Sequence, residues 1–417
     1  PEGEIGLRTP EGGGPIAGEF NATPMNDGSL YGTFRAIDGW SCHARSRDDG
    51  RTWEIDWMPY TAGGRRVKNA RSANFVRRLS NGKYLYWFCF HGGPVLGRTP
   101  GVESRVGYEG RNPIWLCGGV ETDGRICWSQ PEVVLYDDNI GSRMSYPDFI
   151  EDKGRVFFTE TQKTVARVHE LDGRVLDAMW NQHTNATVAT DGLVLHLAGD
   201  ACGPGRTVAM PELPALHNRQ TVRVDAETGA TLGGGAKAVE SRGGFALELR
   251  VRFDDLAPWQ VLFDSRGPEG RGLLVQLTDR GTLKLHIIGR AWAAPGARNG
   301  SGIVECACEG DTGLLEVGKV HQVLFNVDGG PKLMSVLVDG ALCDGGADRQ
   351  FGWSRFHPAL MHPNGAAEAI LASSLRGTLL GLRLYNRYLL TSEGVGNDRA
   401  DRKDTTGETA TGPECFT

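Results

Sequence analysis

The side chains best able to move protons lie in the first half of the chain. His91 follows the aromatic run Tyr84–Phe90 and precedes two glycines. An imidazole at a strand exit titrates near neutral pH and can give or take a proton. Glu132 lies in WSQPEVVLYDD, Tyr146 and Asp148 in RMSYPDFIED, and Glu160 in RVFFTETQK. Tyr146 and Asp148 are two residues apart, so a regular strand puts both on one face. A carboxylate beside a phenol can activate it. Two carboxyl groups about 5 Å apart suit retaining glycoside hydrolysis, and a wider gap suits inversion. Each residue also has a plainer role. His91 can bond a turn carbonyl, Glu132 can be a solvated edge acid, Pro147–Asp148 can form a turn, and Glu160 can position an arginine.

The groups that would hold a ligand lie close by in sequence. Arg71, with Asn74 three residues on, and Arg111 beside Asn112 offer planar guanidiniums for a carboxylate and amides for hydroxyls. Trp128 and Gln130 precede Glu132, Arg143 precedes Tyr146, and Trp180, Asn181, Gln182 and His183 form a set suited to stacking on a sugar and bonding its hydroxyls. The arginines favour a uronate or another acidic polysaccharide or oligosaccharide over a neutral glucan. His169, His183, His196 and His217 are too far apart in sequence to suggest a metal site. Asp137 and Asp138 can form a turn or offer oxygen donors to a structural calcium ion, and one acidic pair is not a calcium signature. No catalytic cofactor is expected.

The 417 residues allow two or three domains, and a net charge of −6 gives no support to nucleic-acid binding. Fifty-nine scattered glycines between short apolar runs point to an all-β chain. No transmembrane run is present. Nine cysteines leave at least one unpaired in a monomer. Sequons at Asn21, Asn185 and Asn299, with the cysteines, lean towards a secreted glycoprotein.

Two regions have different rhythms. Residues 1–235 carry short aromatic strands, at Ser29–Ile37, Trp53–Trp57, Tyr84–Phe90, Ile126–Trp128, Val133–Tyr136, Arg155–Glu160 and Leu193–Leu197, spaced for hairpins and four-stranded sheets. Gly233–Gly243 reads as a linker. Residues 243–393 alternate more cleanly. Phe245, Leu247, Leu249, Val251 and Phe253 share one face, as do Leu283, Leu285 and Ile287, which calls for a β-sandwich. Residues 394–417 read as a tail.

SRDDGRTWE places Ser46, Asp48, Gly50 and Trp53 at the corner of a hairpin. Ser46 and Asp48 can bond turn amides, Gly50 supplies a positive φ, and Trp53 can cover the turn. This pattern resembles the Asp-box of sialidase-like β-propellers. WSQPEVVLYDD and SYPDFIEDKGRVFFTETQ resemble the strand edges of propeller glycosidases, and the similarity spans about Gly28–His196. The resemblance implies a propeller or a portion of one. At about 40–50 residues per blade, residues 1–235 supply about five blades where the family has six. The family's early Arg-Ile-Pro motif is missing. The segment Gly381–Arg387 resembles the closing strand of laminin-G-like, concanavalin-like jelly rolls.

The expected activity is glycoside hydrolysis at the end of an acidic glycan. Glu132, Asp148 or Glu160 would protonate the leaving oxygen, and Arg71 and Arg111 would bind the carboxylate. The HGG strand exit also resembles rhamnose–glucuronate lyases, which implies β-elimination with His91 or Tyr146 as base. A non-catalytic glycan-binding module is the third reading.

Overall fold

The computed structural model describes residues 8–12, 14, 18–59, 65–93, 110–162, 164–216, 223–224, 231–232, 243–290, 303–357, 360 and 362–406. The chain divides into two units. The first comprises Pro1–Ala186, Ala347–Phe351 and Lys403–Thr417, and the second Thr187–Gly346 and Gly352–Arg402.

The first unit has three antiparallel sheets among its described residues. β1 (Asn21–Pro24), β2 (Leu30–Phe34), β3 (Cys42–Ser46) and β4 (Glu54–Trp57) form a meander. β5 (Phe75–Arg78), β6 (Tyr84–Phe88), β7 (Ile114–Thr122) and β8 (Arg125–Trp128) form a second, with β9 (Glu132–Leu135) also paired to β7. β10 (Ser145–Asp152), β11 (Arg155–Thr161) and β12 (Ala166–Glu170) form a third. None of these sheets closes on itself.

The first strands of the first two sheets are tied together by side chains that imitate a ladder. The Asn21 Nδ2 donates to the Val76 carbonyl at 2.9 Å, and Asn21 Oδ1 accepts from the Val76 N–H at 2.9 Å. Thr23 Oγ1 accepts from the Arg78 N–H, which extends the join of β1 to β5. Every residue of β6 is buried, with Leu85 and Trp87 in a core shared with Phe149, Phe158, Met179 and Trp180. The Ser46–Trp53 corner follows from its residue types. Ser46 Oγ accepts from the Gly50 N–H, Asp48 Oδ1 from the Thr52 N–H, and Trp53 Nε1 donates to the Gly50 carbonyl. Gly50 has φ 85°.

Four placements differ from the sequence reading. First, the strands at Leu193–Ala198 and Thr207–Ala209 do not belong with the first sheets; they are β13 and β14 of the second unit and pair with its strands. A half-exposed edge strand carries no local signal of which sheet it joins. The division at Ala186 precedes the glycine-rich 233–243 segment, which lies almost wholly outside the described residues. Second, Trp180 and Asn181 end a helix, α1 (Gly173–Asn181), rather than a sugar-facing loop. Asp172 caps it by accepting from the Arg174 N–H, and Leu176, Met179 and Trp180 are its buried face. Third, the segment after residue 393 is not all tail. Thr391–Thr406 is a helix, α2. Fourth, Asn21 of the first sequon spends its amide on Val76. Asn299 lies outside the described residues.

The second unit is two sheets around one core. The first runs β13, β27 (Gly377–Tyr385), β17 (Gly244–Phe253), β22 (Val320–Asp328), β23 (Leu333–Val338) and β24 (Ala341–Leu342), with β25 (Ser354–Arg355) also on β23. The second runs β14, β26 (Glu368–Leu371), β18 (Val261–Asp264), β19 (Gly272–Leu277), β20 (Leu283–Arg290) and β21 (Ile303–Glu309). A short pair, β15 (Arg223–Val224) and β16 (Thr231–Leu232), stands apart from these sheets. The alternating faces expected from FALELRVRF and GTLKLHI all enter the core, Phe245 to Phe253 from one sheet and Leu283 to Ile287 from the other. Among the described residues seven cysteines are buried thiols outside any disulfide, and Cys127 is disulfide-bonded. Among the described residues no helix is long and apolar enough to cross a membrane.

α2 is held by polar contacts its own sequence does not advertise. Asn397 donates to Glu248 and to the Tyr385 hydroxyl, and Arg383 bridges Glu248 and Asp401. Gly394 lets the helix approach closely, since a Cβ there would lie 2.6 Å from Leu324. Asp398 is buried beside Arg402, and burial pushes its carboxyl up from 3.8 to about 6. A raised carboxyl pKa favours the protonated, folded form at low pH. Its contribution is full below 3.8 and is lost as pH rises through about 6. Chemical denaturation from pH 3.5 to 7 should show this falling component, up to about 3 kcal/mol. Asp398→Asn should lack it; an identical pH profile for the variant would refute the assignment.

Candidate functional site

Glu19 and Tyr146 are two of the ten non-glycine residues with left-handed backbone among the described residues, at φ 59° and 54°. Tyr146 sits where the β10–β11 register shifts between Ser145 and Asp148, so the strand is bulged there instead of regular. A bulge re-aims a side chain, and here the phenol points outward with 53% of the residue exposed. Its hydroxyl donates to Glu19 Oε1 at 3.2 Å. The same oxygen accepts from Arg35 Nη1 at 2.7 Å. Arg35 follows β2 directly, and its backbone N–H bonds the Gly18 carbonyl, which fixes the Glu19 segment beside it. Backbone strain of this kind costs about 1–3 kcal/mol per residue and collects at functional sites.

Next to Tyr146 stands a second cluster. Ser145 Oγ accepts from Arg111 Nη1 at 2.6 Å, and Arg111 Nη2 donates to the Arg71 carbonyl at 3.2 Å. Arg111 Nε is buried with no hydrogen-bond partner among the described residues. Asn112 clasps the 137–139 turn, donating to the carbonyls of Asp137 and Asn139 and accepting from the Asp137 N–H. Asp137 pairs with Arg167 at 3.0 Å, and Arg167 lies 3.4 Å from Glu160. The antiparallel register puts Glu160 opposite Arg167 and Phe158 opposite His169. His169 stacks on Phe158, and its Nε2 is 3.9 Å from Glu160.

Several expected roles are corrected by this placement. Glu160 is 0% exposed, and neither carboxylate oxygen has a hydrogen-bond partner among the described residues. It sits behind Arg167 and His169 and cannot reach a ligand directly. His91 is buried, stacked on Phe351 at 4.6 Å and bonded to Gln350, so it is not an open strand-exit base. Its ring packs on Gly110, where a Cβ would lie 2.6 Å from Nε2. Trp128 is buried against Tyr31 and Tyr86 and offers no stacking face. Gln130 exchanges hydrogen bonds with Gln182, and Asn74 donates to the Phe34 carbonyl. Glu132 and His183 are buried. The Asp137 carboxylate pairs with Arg167 and accepts from the Asn139 N–H. Among the described residues no group of three or more His, Cys, Asp or Glu is placed to hold a metal ion. Asp148 is exposed and lies 3.8 Å from Arg77.

Glu19 and Arg35 were missed in the sequence. Arg35 follows Phe34 at a strand exit, the kind of position that singled out His91. Glu19 carries no local signal, because its partner is 127 residues away.

No protein-family model matches the chain, and no curated protein matches it. The solved structures it resembles include sialidases. Trypanosoma rangeli sialidase in complex with sialic acid matches at 16% identity and a TM-score of 0.29, over 90% of this chain and 61% of its own. The chain thus spans about three-fifths of that sialidase. The CBM40 of the Ruminococcus gnavus IT-sialidase, bound to alpha2,3 sialyllactose, matches at 13% identity and a TM-score of 0.29, over 49% of this chain and 97% of its own. Likeness at this level does not place the chain in a family.

Chemically, the site offers an exposed phenol with a carboxylate acceptor, beside a guanidinium fixed by neutral oxygens. Glu160 behind it is a buried carboxyl group without a hydrogen bond among the described residues, while Arg167 keeps Asp137 as a second partner. Neutralising such a carboxylate removes a desolvation cost. Glu160→Gln should therefore melt at or above the wild-type temperature in differential scanning fluorimetry. A fall of more than a few degrees would mark Glu160 as a stabilising anchor instead.

Proposed function

We propose that the chain is a glycoside hydrolase acting at the end of an acidic glycan. The observation that carries this reading is the bond from the exposed Tyr146 hydroxyl to Glu19, with Arg35 on the same carboxylate oxygen. A neutral phenol is a weak nucleophile until a base takes its proton. Glu19 is in place to do so as the Tyr146 oxygen attacks the anomeric carbon. Arg35 orients Glu19 through the bond to its Oε1. A tyrosine nucleophile is also suited to an anionic sugar, since a carboxylate nucleophile would be repelled by the substrate's own charge.

Arg111 binds the substrate carboxylate. Its acceptors in the protein, a hydroxyl and a carbonyl, are neutral, so its positive charge is not cancelled by them. Arg71, whose carbonyl receives Arg111, stands at the same place. Asp148, exposed on β10 two residues beyond Tyr146, supplies the proton to the leaving oxygen. The glycosidic bond breaks as that proton arrives. Water then displaces Tyr146 and restores both carboxyl groups.

Incubation with a panel of acidic oligosaccharides, followed by mass spectrometry, tests the reaction. The expected product carries one added water and no new ultraviolet absorbance. An unsaturated uronate would replace hydrolysis by β-elimination, and binding without turnover would replace it by a binding module. Tyr146→Phe should lower kcat by at least about 10²-fold. Arg111→Ala should act mainly through KM for carboxylate-bearing substrates.

A further inference from the structure

The second unit displays a tryptophan that its fold does not need. Trp259 is 59% exposed, at the turn between β17 and β18. Its φ is 70°, in the region that favours glycine. A large side chain there is both strained and solvated, and neither property helps folding. The loop that presents it is nevertheless rigid. The Trp259 N–H donates to the Leu277 carbonyl, and the Leu277 N–H returns a bond to the Gln260 carbonyl. Gln260 is buried and donates to Asp255 and to the Ala257 carbonyl, while its Oε1 accepts from the Arg376 N–H. The Arg376 carbonyl in turn accepts from the Asp254 N–H. The indole is thus carried on a loop fixed before any ligand arrives, which lowers the entropy lost on binding.

We infer that Trp259 is the stacking platform of a saccharide-binding site in the second unit. A pyranose ring presents one apolar C–H face and a rim of hydroxyls. The indole supplies the flat apolar surface. The same loops carry exposed hydrogen-bonding groups for the rim, in the Arg376–Asp255 pair and in Arg252 and Asp254. A membrane surface fits less well, because those neighbours are charged and no second exposed aromatic accompanies the indole on this loop. The saccharide class rests on the proposed function; the site itself does not involve Tyr146 or Arg111.

The test uses the full chain in native gels cast with polygalacturonate or dextran, and in sedimentation with phosphatidylcholine–phosphatidylserine vesicles. The wild type should be retarded in at least one polysaccharide gel. Trp259→Gly should lose that retardation, with apparent affinity at least about tenfold weaker, and Trp259→Phe should fall between. Trp259→Gly also relieves the left-handed strain, so its melting temperature should equal or exceed the wild type's. Loss of binding together with unimpaired stability is the expected signature. Equal retardation of Trp259→Gly and wild type would overturn the site, as would no retardation of the wild type. A Trp259 effect confined to the vesicles would assign the indole to a membrane surface instead. Turnover of a short acidic oligosaccharide should be unchanged in Trp259→Gly. If neither protein turns it over, the hydrolase reading fails while the gel result still decides the platform.

Discussion

A half-buried guanidinium must find acceptors, and Arg111 finds them on two other segments of the chain. Its Nη1 reaches the Ser145 hydroxyl at the start of β10, and its Nη2 reaches the carbonyl of Arg71 ahead of β5. One planar fork therefore fixes the relative position of three strand ends. Asn112, the next residue, repeats the logic through the 137–139 turn. Tyr146 follows Ser145 directly, so the same bond that steadies Arg111 also sets the base of the exposed phenol. The sheets provide walls, and these few polar bonds decide what the walls present.

The places where the chain departs from easy backbone geometry are informative. Ten of the described residues other than glycine hold positive φ, and Glu19, Tyr146 and Trp259 are the three that present a side chain to a proposed site. By contrast, Gly50 occupies a position where the turn itself demands that φ, and Ser46, Asp48 and Trp53 close around it. The corner at Gly50 is a local solution that serves folding. At the other three positions glycine would relieve the backbone, and a side chain with reactive or binding capacity is present instead.

Burial separates the candidate acids by task. Glu19 and Asp148 reach solvent, whereas Glu160 lies behind Arg167 and His169. A carboxylate that is closed off can still act on the site by holding a cation in front of it. In the second unit a comparable buried set, Glu248, Arg383, Asp401 and Asn397, orders α2 rather than a ligand site. The two sets use similar residue types. In the second the acceptors are filled, and in the first the Glu160 oxygens are not.

The sequence by itself determined what depends on near neighbours. The alternation of Phe245 to Phe253 and of Leu283 to Ile287 set two core faces. SRDDGRTWE set its own turn, and Arg71, Arg111, Tyr146 and Asp148 could be singled out as candidates from their types and spacing. Only the tertiary structure decided the rest. It paired Tyr146 with Glu19, buried His91, Trp128 and Glu160, and gave β13 and β14 to the second unit's sheets. It also turned a glycine-containing segment into α2 through contacts with β17 and β27. The physical reason is common to all of these. Periodicity and turn chemistry act over a few residues, whereas a side chain's burial and its partners depend on strands brought together from distant parts of the chain.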